Sequence, residues 1–165
     1  MKVNISEISK INGASLNIEF NETLPDLGCV EDGYIFDKPI GFKGQIENVN
    51  GVLILDGHLK VDYIAKCYRC LRDVDRKIDI GIRDEFISSK KATDNDFYIY
   101  SGNFVELDRV LKDNIILNLP MRQVCTKECK GLCSKCGINL NEKKCDCMED
   151  LINPQMEALK SFFNN

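Results

Sequence analysis

Apolar residues in the first half of the chain recur at every second position. In Ser15–Phe20 they are Leu16, Ile18 and Phe20, and in Ile40–Ile46 they are Ile40, Phe42 and Ile46. In Val52–Ala65 they are Leu53, Leu55, Leu59, Val61, Tyr63 and Ala65, with Asp56, His58, Lys60 and Asp62 on the other face. Val74–Phe86 repeats the pattern with Val74, Ile78, Ile80, Ile82 and Phe86. A period of two is that of half-buried strands. Asn50-Gly51 between the second and third runs is a hairpin turn signal. Strands joined by short turns predict an antiparallel meander with one face on a core. The polar stretch Ser88–Asp96 reads as a loop, and Phe97–Tyr100 as a short strand turning at Ser101-Gly102-Asn103. Then the period changes. Leu107, Leu111 and Ile115 recur every fourth residue with Val110 beside them. An amphipathic helix is predicted there, ending before Pro120, with Asn103 or Asp108 as N-cap. It would cover the apolar face of the sheet. The predicted class is α+β: an antiparallel meander or partial barrel under one helix.

Beyond Pro120 the composition shifts. Met121–Cys147 holds six cysteines and few large apolar residues, too little for a core of its own. Asn153-Pro154 then reads as the N-cap and first position of a short C-terminal helix carrying Met156, Leu159, Lys160 and Phe163. The chain therefore divides into a β-rich part, residues 1–120, and a cysteine-rich, zinc-ribbon-like part with its helix, residues 121–165. The chain has 165 residues, 44% hydrophobic and 29% charged, which suits one domain with an appendage and excludes wholesale disorder. The N-terminus lacks the apolar stretch of a secretion signal, and no run approaches the ~18 apolar residues of a membrane helix. A cytoplasmic location without membrane contact is expected, where thiols stay reduced.

Nine cysteines against one histidine is the anomaly of the composition. Eight fall in pairs: Cys67 and Cys70, Cys125 and Cys129, Cys133 and Cys136, Cys145 and Cys147; Cys29 stands apart. A C-x-x-C in a tight turn aims both sulfurs to one side, as in a zinc knuckle, and Gly137 after Cys136 supplies the left-handed residue that closes one. Structural zinc takes four ligands, so eight cysteines make two Zn2+ sites. Short loop closure favours Cys133, Cys136, Cys145 and Cys147 on one ion, leaving Cys67, Cys70, Cys125 and Cys129 for the other. Other pairings, a single zinc with spare thiols, an iron–sulfur cluster and a disulfide or redox system are the alternatives. All-cysteine sites leave no open position for catalysis, and Cys67 and Cys70 lie in a β-meander rather than the βαβ unit of thiol redox enzymes. His58 has no partner cluster and reads as a surface residue. No phosphate loop, dinucleotide fingerprint or nucleophile elbow is present. No catalytic residue and no small-molecule substrate are expected.

The formal charge is −4 and the pI about 5.1, which argues against a general polycation. The basic excess nevertheless gathers at the cysteines. Lys60, Lys66, Arg69 and Arg72 face only Asp62 within residues 59–72. Arg122, Lys127, Lys130, Lys135, Lys143 and Lys144 face three acids within 121–147. These cations either compensate negative metal–thiolate centres or meet RNA phosphates. On the second reading Lys66, Arg69, Arg72, Arg122, Lys127, Lys130, Lys135, Lys143 and Lys144 are the contact residues. Tyr68 either packs on the sheet edge or stacks on a base.

One further pattern joins these motifs. Cys67-x-x-Cys70-Leu71 and Leu119-Pro120 are followed by Cys125-x-x-x-Cys129-x-Gly131-Leu132-Cys133-x-x-Cys136-Gly137-x-Asn139-Leu140-Asn141. Cys145-x-Cys147 and Asn153-Pro154 complete the series. From residue 60 to 162 it resembles the YceD-like family, named for accumulation of large-subunit ribosomal RNA; the N-terminal strands match only in general pattern. The resemblance implies a bacterial cytoplasmic ribosome biogenesis factor that supports 23S rRNA processing or accumulation. Its expected partner is large-subunit rRNA, a ribosomal protein or a precursor particle. Cys29 has no place in the family pattern. The rival classes are a zinc-stabilised protein–protein adaptor without RNA contact and a thiol oxidoreductase.

Overall fold

The computed structural model describes residues 1–24, 27, 29–30, 33–89 and 97–147. The expected C-terminal helix and most of the Ser88–Asp96 loop lie outside the described residues. Four long strands form where the alternation predicts them: β2 (Ser15–Glu22), β5 (Ile40–Val49), β6 (Val52–Lys66) and β7 (Asp73–Ser88). Shorter ones are β1 (Lys2–Asn4), β3 (Cys29–Val30), β4 (Tyr34–Ile35), β8 (Tyr98–Tyr100) and β9 (Phe104–Glu106). β6 organises the main sheet. One edge pairs with β5 and, further along, with β4; the other pairs with β7 from Leu53↔Phe86 to Lys66↔Asp73. β2 flanks β5 and β3 flanks β4, while β1 and β9 form a separate two-stranded ribbon. At the β5–β6 turn Asn50 and Gly51 take φ of 54° and 86°, as a two-residue hairpin loop with right-handed strand twist demands.

Two sequence expectations are corrected. The sheet is mixed rather than purely antiparallel, because β8 runs parallel to β7, with Phe86 opposite Tyr98. The helix α1 (Asp108–Asn118) starts from Leu107, not from Asn103 or Asp108, and has no side-chain cap. Leu107 is fully buried, so core packing fixes the entry. The Asp108 carboxylate pairs with the amino group of Met1 instead.

α1 buries Val110, Leu111 and Ile115 in the main core with Phe42, Ile46, Leu53, Leu55, Leu59 and Phe86. The N-terminal turns add Ile5 and Ile8. Asn48 is buried there and fully used: Nδ2 donates to the Ile8 carbonyl (2.7 Å) and Oδ1 accepts from the Gly51 N–H (2.9 Å). It ties the hairpin to the N-terminal turn at no cost in unpaired polar groups.

Candidate metal centre

β6 and β7 are joined by residues 67–72, and this turn carries the first cysteine pair. The Cys67 N–H donates to the Arg72 carbonyl (2.8 Å) and the Leu71 N–H to the Cys67 carbonyl (2.9 Å). Leu71 takes φ of 58°, a left-handed residue without glycine's freedom. The turn is thus held in the form that aims Cys67 and Cys70 together.

The segment after α1 is laid along this turn. Tyr34 donates its hydroxyl to the Pro120 carbonyl. The Tyr68 N–H donates to the Gln123 carbonyl (2.7 Å), Gln123 Nε2 to the Tyr63 hydroxyl (2.7 Å) and Arg76 Nη2 to the Val124 carbonyl (2.7 Å). Arg69 Nη1 donates to the Cys129 carbonyl (2.9 Å). Gly131, at φ 77°, lets the chain pass close to Arg69: a Cβ there would lie 3.1 Å from the Arg69 carbonyl oxygen. The result brings Cys125 and Cys129 onto Cys67 and Cys70. Cys67, Cys70 and Cys129 are buried, and with Val74, Val124 and Leu132 they form a second small cluster beside the main core.

The second tetrad is built locally. The Cys133 N–H donates to the Ile138 carbonyl (2.8 Å) and the Gly137 N–H to the Cys133 carbonyl (2.9 Å). Gly137 takes the expected left-handed conformation, φ 73°. A bridge between Leu132 and Asn139, with the Leu140 N–H on the Gly131 carbonyl, closes a small loop. Asn141 links the two tetrads. Its Oδ1 accepts the Lys130 N–H (2.8 Å) and its Nδ2 reaches Cys129 Sγ (3.4 Å).

Within each group, Cys67/Cys70/Cys125/Cys129 and Cys133/Cys136/Cys145/Cys147, the four sulfurs all lie within 4.8 Å of one another. This is the grouping that short loop closure favours. Cys67 Sγ is 3.9 Å from Cys129 Sγ, and Cys70 Sγ is 3.7 Å from Cys125 Sγ. A tetrahedron with metal–sulfur bonds of about 2.3 Å has sulfur–sulfur edges of about 3.8 Å, so the spacing fits a four-thiolate ion. All eight thiols are free.

The electrostatics also suit a cation. Burial pushes the Cys67 thiol up, but the backbone N–H groups of Cys70, Cys125 and Arg69 outweigh it and bring it down to about 6. The Arg72 N–H pulls Cys70 down, yet burial and the neighbouring sulfurs push it up to about 12. In the other tetrad the N–H groups of Cys136 and Lys135 bring Cys133 down to about 6, while the Cys136 sulfur raises Cys147 to about 12. Cys125 is also brought down, by the Cys129 sulfur, so each tetrad favours thiolate at some of its sulfurs and resists it at others. A divalent cation at the centre relieves that repulsion.

All nine cations singled out from the sequence lie around these tetrads and are exposed. Several already serve the scaffold. Arg69 reaches the Cys129 and Lys127 carbonyls, Lys66 pairs with Asp73 (2.8 Å), and Arg72 is held beside the Cys125 sulfur. The guanidinium carbon of Arg122 lies 4.7 Å from the centre of the Tyr68 ring. Arg76, Gln123 and Asn141 escaped sequence reasoning. Arg76 carries a signal as a cation in the apolar register of β7, in step with Val74 and Ile78, and Asn141 carries one in its place in the motif after Gly137. His58 is exposed and sits 3.3 Å from Asp79. Among the described residues no helix is long and apolar enough to cross a membrane.

Among the described residues, a mixed sheet under one helix, with a cysteine-rich segment folded around two tetrads that could hold metal ions, defines an α+β protein with two candidate metal sites. Its family follows from the sequence comparisons: a family model described as large ribosomal RNA subunit accumulation protein YceD matches residues 55–163. The chain belongs to that family, which is implicated in accumulation of large-subunit ribosomal RNA. An uncharacterized protein of Mycobacterium tuberculosis is 23% identical over 150 residues, covering 85% of this chain and 70% of that protein. The uncharacterized protein YlbN of Bacillus subtilis is 23% identical over 149 residues, 87% of each chain. A chloroplastic YCED homolog 1 of Arabidopsis thaliana, named a large ribosomal RNA subunit accumulation protein, is 40% identical over 43 residues. That match covers 26% of this chain and 13% of the plant protein. No solved structure matches the chain significantly.

Proposed function

We propose that this protein is a non-enzymatic, cytoplasmic ribosome biogenesis factor that supports 23S rRNA processing or accumulation. Zinc at both cysteine tetrads fixes residues 121–147 against the β-rich body of residues 1–120. Lys66, Arg72, Arg122, Lys127, Lys130, Lys135, Lys143 and Lys144 then face rRNA or a large-subunit protein, while Arg69 helps hold the segment in place. The observation that carries this reading is the gathering of exposed cations around two tetrads in a chain whose total charge is negative. Membership of the YceD family supports the ribosomal setting.

Two measurements test it. Elemental analysis of protein purified under reducing conditions is expected to find close to two zincs per chain. Iron in place of zinc would redirect the metal assignment, and a count near zero would overturn it. Binding to 23S rRNA fragments is expected to weaken steeply with salt, and a Lys127/Lys130/Lys135 charge reversal to cut affinity about tenfold or more, because released counterions drive phosphate contacts. A flat salt response would favour the adaptor instead.

A further inference from the structure

We propose that Tyr68 and Arg122 form a stacking platform for an unpaired nucleobase, so that single-stranded RNA is the form this surface takes. The inference rests on the proposed function and names its contact residues. Four of the five tyrosines are buried or half-buried in the sheet. Tyr34 and Tyr63 belong to the core, and Tyr98 donates its hydroxyl to Asp113. Tyr68 alone projects from the surface, 62% exposed, and it does so between two metal-ligand positions. Leaving an aromatic ring in water wastes burial that the sheet edge could have supplied.

The backbone that carries the ring is fixed. The Tyr68 N–H is held on the Gln123 carbonyl, and both flanking residues, Cys67 and Arg69, are tied down. The Arg122 guanidinium covers one face at 4.7 Å. With that face taken and 62% of the residue exposed, the opposite face is open. A guanidinium beneath a ring makes its other face a flat partner for a base, and either group alone also stacks on one. Lys66 at the end of β6, Arg72 on the turn, and Lys127 and Lys130 supply phosphate-seeking charge. A duplex hides its base faces, so only an unpaired base can use the platform.

The chain has no tryptophan, so Tyr68→Trp in the full, zinc-loaded protein is a lone fluorescence reporter. Single-stranded oligouridylate is expected to quench it, while an oligo(A)·oligo(U) duplex of equal length leaves it unchanged. Tyr68→Phe should bind the single strand like the parent, and Tyr68→Leu about tenfold more weakly with zinc content and salt slope preserved. Salt-dependent binding that is indifferent to Tyr68→Leu overturns the platform and leaves the proposed function standing. Equal preference for duplex does the same. Failure of every form, the parent included, to bind RNA overturns both. Capture of a ribosomal protein that depends on Tyr68, without RNA, overturns the platform in favour of a protein anchor.

Discussion

Cys67→Ser is expected to lower the zinc content from two ions to one and to release residues 121–147 from the sheet. Cys67 is fully buried, accepts the Cys125 N–H at 3.3 Å and touches Cys129 at 3.9 Å. The tetrad it completes is the one that joins the β6–β7 turn to the segment after α1. Little else could hold that segment. Val124 and Leu132 are only partly buried, each contributing a fraction of the ~1.5–3 kcal/mol that full burial yields. The backbone contacts from Tyr68, Arg69 and Arg76 add roughly 1 kcal/mol each net. Zinc coordination in small peptides contributes about 10–16 kcal/mol, so losing it outweighs the rest. Cys133→Ser also removes one zinc, but leaves the first tetrad intact. Tryptic cleavage separates the two. Cleavage after Lys127 and Lys130 should accelerate by an order of magnitude or more in Cys67→Ser, as local opening becomes nearly free. In Cys133→Ser it should accelerate only after Lys135, Lys143 and Lys144. Equal cleavage after Lys127 in both variants would show that the first tetrad does not pin the segment.

This asymmetry between the tetrads was half legible in the sequence. The short loop between Cys133–Cys136 and Cys145–Cys147 made one grouping cheap to close, and the other followed by elimination. The strands were legible because each buries one face, so side-chain period reports on geometry directly. Asn50-Gly51 was legible because few residues tolerate two successive positive φ angles. What stayed hidden depends on neighbours far along the chain. Arg69 and Lys127 look alike as cations beside cysteines. Only the tertiary path shows that Arg69 turns inward to the Cys129 carbonyl. Arg76 shares the face of β7 that carries Val74 and Ile78, and only the tertiary path shows that the returning segment lies there, with the guanidinium spanning to Val124. The helix start misled for a similar reason: Asp108 has a capping side chain, but the amino group of Met1 claims it. β8 is too short for its direction to be written in its own residues.

The glycines of the sheet were silent too, and two of them carry the second large effect. Gly57→Ala is expected to destabilise the protein by roughly 3 kcal/mol or more, the upper range for overpacking a core. Gly57 lies opposite Gly44 across β5 and β6, both on the core-facing side of their strands. An added Cβ would stand 2.7 Å from the Gly44 Cα, 2.7 Å from the Lys43 carbonyl oxygen and 2.8 Å from Phe42 Cζ. Two of these are backbone atoms of the paired strand, which cannot move without breaking the ladder. The third belongs to a ring that is itself buried and stacked on Phe20 at 5.3 Å. Phe42 fills the space that two side chains would otherwise take, so the pair of glycines and the ring form one packing unit. Gly44→Ala meets the same wall, with the Asp56 carbonyl closer still. Gly81 is the internal control. It sits mid-strand opposite His58, is exposed, and has nothing within 4 Å of a built Cβ. Gly81→Ala should therefore be neutral or stabilise by about 0.5 kcal/mol, through lost freedom of the unfolded chain. Thermal unfolding of the zinc-loaded protein reads both. A change of ~3 kcal/mol corresponds to a drop of about 10 °C for Gly57→Ala in a chain of this size. A melting temperature for Gly57→Ala equal to that of Gly81→Ala would mean that β5 and β6 do not approach as closely as their paired glycines allow.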